Sequence, residues 1–88
     1  KEINEILNIA ISGDFIKARD KLLEVMLQQG LNGLDVIKQI HREIWNLDIE
    51  DKEKIRLIDR CGETEFRIVE GSDEFLQLET LLVNFIKK

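Results

Sequence analysis

The sequence of 88 residues contains one cysteine, one histidine and no proline. A single thiol cannot form an internal disulfide, and one thiol with one imidazole cannot build a structural zinc site, so disulfide scaffolds and zinc fingers are excluded. No apolar run approaches the ~20 residues that a membrane span needs. The chain begins at Lys1 without a methionine or an apolar leader, which predicts a piece of a longer protein.

Aromatic residues make up only 6% of the chain, and apolar residues recur every three or four positions rather than every two. With the absence of proline, this spacing favours an all-α fold. A chain this short hides only about 60–65% of its unfolded surface, which leaves little room for a buried cofactor cavity. Short connections between the turn signals predict a compact five-helix bundle in which residues 1–88 form a single domain.

Capping residues and glycines divide the sequence into five helices. The first is predicted over about 2–11, and either Ser12 or Asp14 can cap the second, which ends at Gly30. Asn32 is predicted to cap the third. The core stripes of these three helices are Ile3, Ile6, Leu7 and Ala10, then Phe15, Ala18, Leu22, Val25 and Met26, and then Val36, Ile37, Ile40, Ile44 and Leu47.

Gly62 lies inside the fourth helical segment, between residues 52 and 70, where two short helices are the alternative to one long helix. The apolar pattern keeps one phase across it, which favours a single long central helix with a wide apolar face. We expect Gly62 to let a neighbouring element approach closely, at a cost of ~1 kcal/mol relative to Ala. Gly71 is predicted to end this helix and Ser72 to cap the fifth. The wide face comprises Ile55, Ile58, Gly62, Phe66 and Val69 with Leu57, Cys61 and Ile68 beside them, and the fifth stripe comprises Phe75, Leu78, Leu82 and Phe85.

No combination of residues in the sequence supports catalysis. None of the five glycines lies in a phosphate-binding turn between a strand and a helix. Glu43 cannot orient His41, because residues two apart on a helix point to different faces. Cys61 lies on an apolar stripe, where burial keeps a thiol protonated and unreactive. We therefore assign no catalytic, cofactor-binding or metal-binding residue to this chain.

The formal net charge is −5, and basic residues are dispersed among acidic ones. Because DNA binding needs a basic stripe that neutralises phosphates, direct DNA contact by this chain is not expected. The basic residues permit a local basic patch, although a helix surface with many ion pairs explains them better.

Three helices carry apolar residues outside their main stripes. One explanation is that a helix in a bundle contacts two neighbours and needs two stripes. The other is that an exposed apolar face contacts another subunit. These additional residues are Ile16, Leu23 and Leu27 in the second helix, Leu34, His41 and Trp45 in the third, and Leu76 and Val83 in the fifth.

Three segments that together cover nearly the whole chain are distinctive: AISGDFIKARDKL at 10–22, GLNGLDVIKQIHREI at 30–44 and EFRIVEGSDEFLQLETLL at 65–82. They resemble the C-terminal collar domain of the archaeal small subunit of replication factor C, the clamp loader. After the shared Val-Glu-Gly the family usually has Ala-Asn, where this chain has Ser72 and Asp73, a difference compatible with helix capping.

The resemblance implies a function for the parent protein as well as for this chain. The parent would be a cytoplasmic AAA+ ATPase whose two upstream domains bind ATP and Mg²⁺ and load the sliding clamp onto primer–template DNA. This chain would carry no cofactor and no catalytic residue. Its partners would be other small subunits and the large subunit, whereas the clamp and DNA would be reached only through the upstream domains and no membrane would be involved.

Together, the additional stripes and the resemblance predict an oligomerisation domain that assembles into a closed collar. We expect its subunit contact to use Ile16, Leu23, Leu27, Leu76 and Val83. The alternatives are a free-standing helical adaptor or regulatory domain, which would lack upstream nucleotide-binding motifs, and a small helical enzyme, which would be stabilised by a ligand.

Overall fold

Five helices, each begun or ended by a local sequence signal, form the computed structural model, which describes residues 2–86. They are α1 (Glu2–Ile11), α2 (Phe15–Gln29), α3 (Gly33–Ile44), α4 (Asp51–Val69) and α5 (Glu74–Val83). The described residues include no β-strand. The predicted all-α fold with five helices is therefore confirmed.

The helix ends follow capping chemistry. Of the two candidate caps for α2, Asp14 is the one that accepts a hydrogen bond from the backbone N–H of Lys17. Asn32 caps α3 in a reciprocal pair with Asp35, as predicted for Asn32. The prediction that Ser72 caps α5 is wrong, because the side chain of Asp73 accepts the hydrogen bond from the N–H of Leu76 at 2.8 Å. A carboxylate at this position also interacts favourably with the helix dipole.

Helix α5 packs against each of the other four helices. Helix α1 also packs against α2 and α3, and α3 and α4 pack against each other. The stripes predicted for α1, α2, α3 and α5 lie in the core, apart from Phe15, Met26 and Phe75, which are half-buried at its edge. Leu81 is a further member of this core.

Helix α4 is continuous through Gly62, as predicted, but only one half of its wide apolar face enters the core. Leu57, Cys61 and Ile68 are buried. The other half consists of the half-buried Ile58 and of Ile55, Phe66 and Val69, which are 65%, 63% and 63% exposed. The two halves point in different directions around the helix, and the Leu57 half is the one buried in the core.

The close approach expected at Gly62 occurs instead at Gly33. A Cβ atom at Gly62 would meet no heavy atom within 4 Å. A Cβ atom at Gly33 would lie 3.0 Å from the Cβ of Glu74, and the Gly33 N–H donates a hydrogen bond of 2.5 Å to the Glu74 carboxylate. The first turn of α3 thus packs directly on the first turn of α5, and the prediction for Gly62 is wrong.

Because Gly62 is exposed within a helix, replacing it with Ala should stabilise the protein. The expected gain is about 0.5–1 kcal/mol in the free energy of unfolding, since Ala loses less backbone entropy than Gly. Urea denaturation followed by circular dichroism measures this gain. Gly33→Ala is the matched control and should be destabilising; a loss of stability in Gly62→Ala would show that a neighbour does approach this position.

Candidate protein interaction surface

The side chains that could bind a metal or take part in catalysis are dispersed over the bundle. Among residues 2–86, no group of three or more His, Cys, Asp or Glu side chains is arranged to hold a metal ion. His41 is exposed on α3, and the Glu43 carboxylate accepts a hydrogen bond from Asn4 rather than from His41. None of the described helices is both long and apolar enough to cross a membrane.

Cys61 is buried in the core, and desolvation raises the pKa of its thiol from 9.0 to about 12. A thiol held in its protonated form is a poor nucleophile, which agrees with the sequence-based prediction. The folded protein therefore retains this proton over a pH range in which the unfolded chain loses it.

Because of this difference in proton binding, stability should depend on pH in the alkaline range. Between pH 9 and about 12 the unfolded state binds fewer protons, so the free energy of unfolding should fall with rising pH by up to about 1.4 kcal/mol per pH unit, and Cys61→Ala should remove this component.

The burial of Cys61 also predicts slow chemical labelling. At pH 8 a thiol reagent such as 5,5′-dithiobis(2-nitrobenzoic acid) should react with Cys61 no faster than the protein unfolds. Stoichiometric labelling of the folded protein within the mixing time would contradict the burial of this thiol.

Nine large apolar side chains among residues 2–86 are exposed, and they fall into two groups. The first group, which we call the α2–α5 face, contains the five residues predicted to form the subunit contact. Its members are Ile16, Leu23 and Leu27 on α2 and Leu76 and Val83 on α5. The structure thus leaves every predicted contact residue accessible, with Ile16 and Leu27 at 63% and 75% exposure.

An ion pair joins the two halves of the α2–α5 face. Arg19 of α2 donates a hydrogen bond of 2.5 Å to Glu79 of α5, and its guanidinium also lies 5.4 Å from the ring centroid of Phe75. The hydrogen bonds to Glu79 and then to Asp20 raise the pKa of Arg19, so this side chain stays charged.

The position of this ion pair sets the register of the two apolar stripes. Arg19 is three residues after Ile16 and four before Leu23, and Glu79 has the same spacing to Leu76 and Val83. The two stripes therefore have the same spacing on either side of one ion pair.

The second group lies on and beside α4. It consists of Ile55, Phe66 and Val69, which we call the α4 stripe, and of Trp45 at the end of α3. The Lys54 ammonium donates a hydrogen bond of 3.2 Å to the carbonyl of Trp45, which holds the start of α4 beside the end of α3. The sequence pattern identifies Trp45 as an additional apolar residue. It does not separate the α4 stripe from the core residues of α4, because both halves of this helix have helical periodicity.

The additional residues of α3, which are Leu34, His41 and Trp45, form a less apolar stripe than those of the α2–α5 face. Leu34 is half-buried against the core, whereas His41 and Trp45 are exposed. Packing against a second neighbour within the bundle therefore accounts for Leu34 alone.

Comparison with known proteins gives one consistent result. Residues 1–84 match the family described as Replication factor C C-terminal domain. The chain is 49% identical over 85 residues to the Replication factor C small subunit of Pyrococcus furiosus, which covers 97% of this chain and 10% of that protein. It is 50% identical over 84 residues to the protein of the same name from Saccharolobus solfataricus, covering 93% of this chain and 26% of that relative. The chain thus spans about a quarter or less of the length of these relatives.

Proposed function

Because the chain belongs to the Replication factor C C-terminal domain family, we propose that it is the oligomerisation domain that holds the subunits of a clamp loader together. In this proposal residues 1–88 form the last domain of a longer AAA+ protein. The upstream domains hydrolyse ATP with Mg²⁺, and this chain supplies the fixed contact between subunits. The chain itself takes no part in the chemical step.

The observation that carries this proposal is the α2–α5 face. Soluble monomers rarely expose large contiguous apolar patches, and such patches usually mark protein contacts. Here five aliphatic side chains on two packed helices are exposed around the Arg19–Glu79 ion pair. Burying such a face against another subunit is favourable by about 25 cal/mol for each Å² of apolar surface that is removed from water.

A rigid scaffold suits this role. The bundle has a single core to which all five helices contribute, and buried side-chain polar atoms in residues 2–86 all have hydrogen-bond partners. Nucleotide-driven movement would then occur in the upstream domains, while the collar keeps the subunits in fixed order. The partners in this proposal are other small subunits and the large subunit, and the sliding clamp and DNA are contacted by the upstream domains.

Removing this domain from the full-length protein tests the proposal. The full-length protein should elute as a multi-subunit assembly in size-exclusion chromatography with light scattering, and the version lacking residues 1–88 should elute as a monomer. Retained stabilisation by ATP and Mg²⁺ in a thermal melt would show that the truncated protein is folded. A truncated protein that assembles as well as the full-length one would overturn the proposal.

A further inference from the structure

Only one ion pair among residues 2–86 joins two helices. The ion pairs of α4 lie within that helix, and Arg19 also pairs with its neighbour Asp20. Arg19 and Glu79 instead connect α2 to α5 across 60 positions of sequence, with 2.5 Å between Nε and Oε2. Pairs within a helix support that helix, whereas this pair links the positions of two packed helices.

Glu79 depends on Arg19 for a counter-charge. Its side chain is 25% exposed, the lowest value among the carboxylates that form ion pairs in the described part of the chain. Helix α5 has no basic residue. Helix α2 carries two further cations, Lys17 and Lys21, but neither pairs with Glu79 within residues 2–86. Removing the Arg19 guanidinium would therefore leave a half-buried carboxylate unpaired.

Three groups hold the Arg19 guanidinium in the single molecule. Besides the bond to Glu79, Nη1 donates a hydrogen bond of 2.9 Å to Asp20, and the guanidinium lies 5.4 Å from the ring centroid of Phe75. Phe75 is itself half-buried against the core. Because the guanidinium is already fixed before a partner arrives, little conformational entropy is lost at this side chain when subunits associate.

The ion pair lies among the aliphatic residues of the α2–α5 face. An apolar residue stands three positions before and four positions after each member of the pair, and all four are exposed: Ile16, Leu23, Leu76 and Val83. A subunit that covers these side chains also removes water from the ion pair. Desolvating an unpaired charge is far more costly than desolvating a hydrogen-bonded pair.

We propose that Arg19 is a positioning residue for subunit assembly, because it neutralises Glu79 and so allows the α2–α5 face to be buried against a partner subunit. This inference rests on the proposed function and adds the polar contact on which burial of that face depends. In the free chain the pair contributes little to stability, since ion pairs with solvent access are weak. On assembly, breaking the pair leaves a buried charge uncompensated, whereas replacing both members with apolar side chains does not.

Three variants test this role in sedimentation equilibrium. Arg19→Met should weaken association at least about tenfold, because Glu79 is then buried without a counter-charge. Glu79→Met should weaken association less, since Arg19 keeps its hydrogen bond to Asp20. The double variant Arg19→Met with Glu79→Met should associate within roughly threefold of the unmodified chain, because no unpaired carboxylate remains.

Arg60→Met is the matched control. The Arg60 side chain is 39% exposed, close to the 36% of Arg19, and it also pairs with two carboxylates, those of Asp59 and Glu63, but on α4. This variant changes the net charge as Arg19→Met does and should associate like the unmodified chain. In urea denaturation of the monomers, followed by circular dichroism, both arginine variants should have midpoints close to that of the unmodified chain.

The possible failures are distinguishable. If Arg19→Met associates as tightly as the unmodified chain, or if the double variant associates no better than Arg19→Met, the positioning role is wrong while the proposed oligomerisation stands. If Arg19→Met weakens association only in proportion to a lowered urea midpoint, the ion pair is structural and this inference is again overturned. If the unmodified chain stays monomeric up to millimolar concentration, the proposed function fails, and the inference that rests on it fails too.

Discussion

Leu57→Ala is expected to lower the free energy of unfolding by about 2–5 kcal/mol, whereas Phe66→Ala, nine residues later on the same helix, should change it by less than about 0.5 kcal/mol. Leu57 is 2% exposed and packs in the core, so truncation removes buried apolar contacts and leaves a cavity. Phe66 is 63% exposed, and its ring contributes little to the core.

The first of these losses is large for a domain of this size. Small domains are stable by only about 5–15 kcal/mol, so Leu57→Ala should visibly shift the urea midpoint measured by circular dichroism. Ile55→Ala, on the exposed half of α4, is the matched aliphatic control and should behave like Phe66→Ala. Equal losses for Leu57→Ala and Phe66→Ala would contradict the account, because they would show that both halves of α4 contribute to the core.

Leu23→Glu combined with Leu27→Glu should abolish self-association of the chain while leaving it folded. Both positions belong to the α2–α5 face, with exposures of 36% and 75%, so two carboxylates there are solvated in the free monomer. In the assembled state they would be buried against a partner, and desolvating an unpaired charge costs several kcal/mol. They would also stand beside Asp20 and Glu24 and add like charge to that surface.

The matched control for this variant introduces two carboxylates on the α4 stripe. Ile55→Glu with Phe66→Glu also replaces two exposed apolar residues with carboxylates, and we expect it to associate like the unmodified chain. Sedimentation velocity measures association, and circular dichroism confirms that both variants are folded. If the assembly survives the changes at Leu23 and Leu27, the α2–α5 face is not part of the subunit contact.

The helices themselves were predictable because their signals are local. Asp14, Asn32 and Gly30 act within one turn of the helix ends that they define, and apolar spacing identifies a helix whatever its neighbours are. For the additional apolar residues the sequence leaves two explanations open, a second neighbour within the bundle or an exposed face, and the structure shows the five residues of the α2–α5 face exposed.

The orientation of α4 and the role of its glycine were not predictable, because both depend on contacts between helices distant in sequence. The Ile55 and Leu57 halves have equal periodicity, and only the positions of α3 and α5 decide which is buried. Gly33 is adjacent to an N-cap, where glycine needs no tertiary explanation, yet it is the position that Glu74 approaches from 41 residues away. The Arg19–Glu79 ion pair joins residues 60 positions apart, so no pattern of neighbouring residues in the sequence indicates it.

Sedimentation equilibrium of this 88-residue chain, over a wide concentration range and at two salt concentrations, tests the central claim most directly. The account predicts reversible assembly beyond a dimer, because a heterologous contact leaves a free face on each added copy. It also predicts weaker assembly at the higher salt concentration, because the contact includes exposed charges that salt screens. A strict monomer at millimolar concentration in both salts would contradict the claim that this domain holds subunits together.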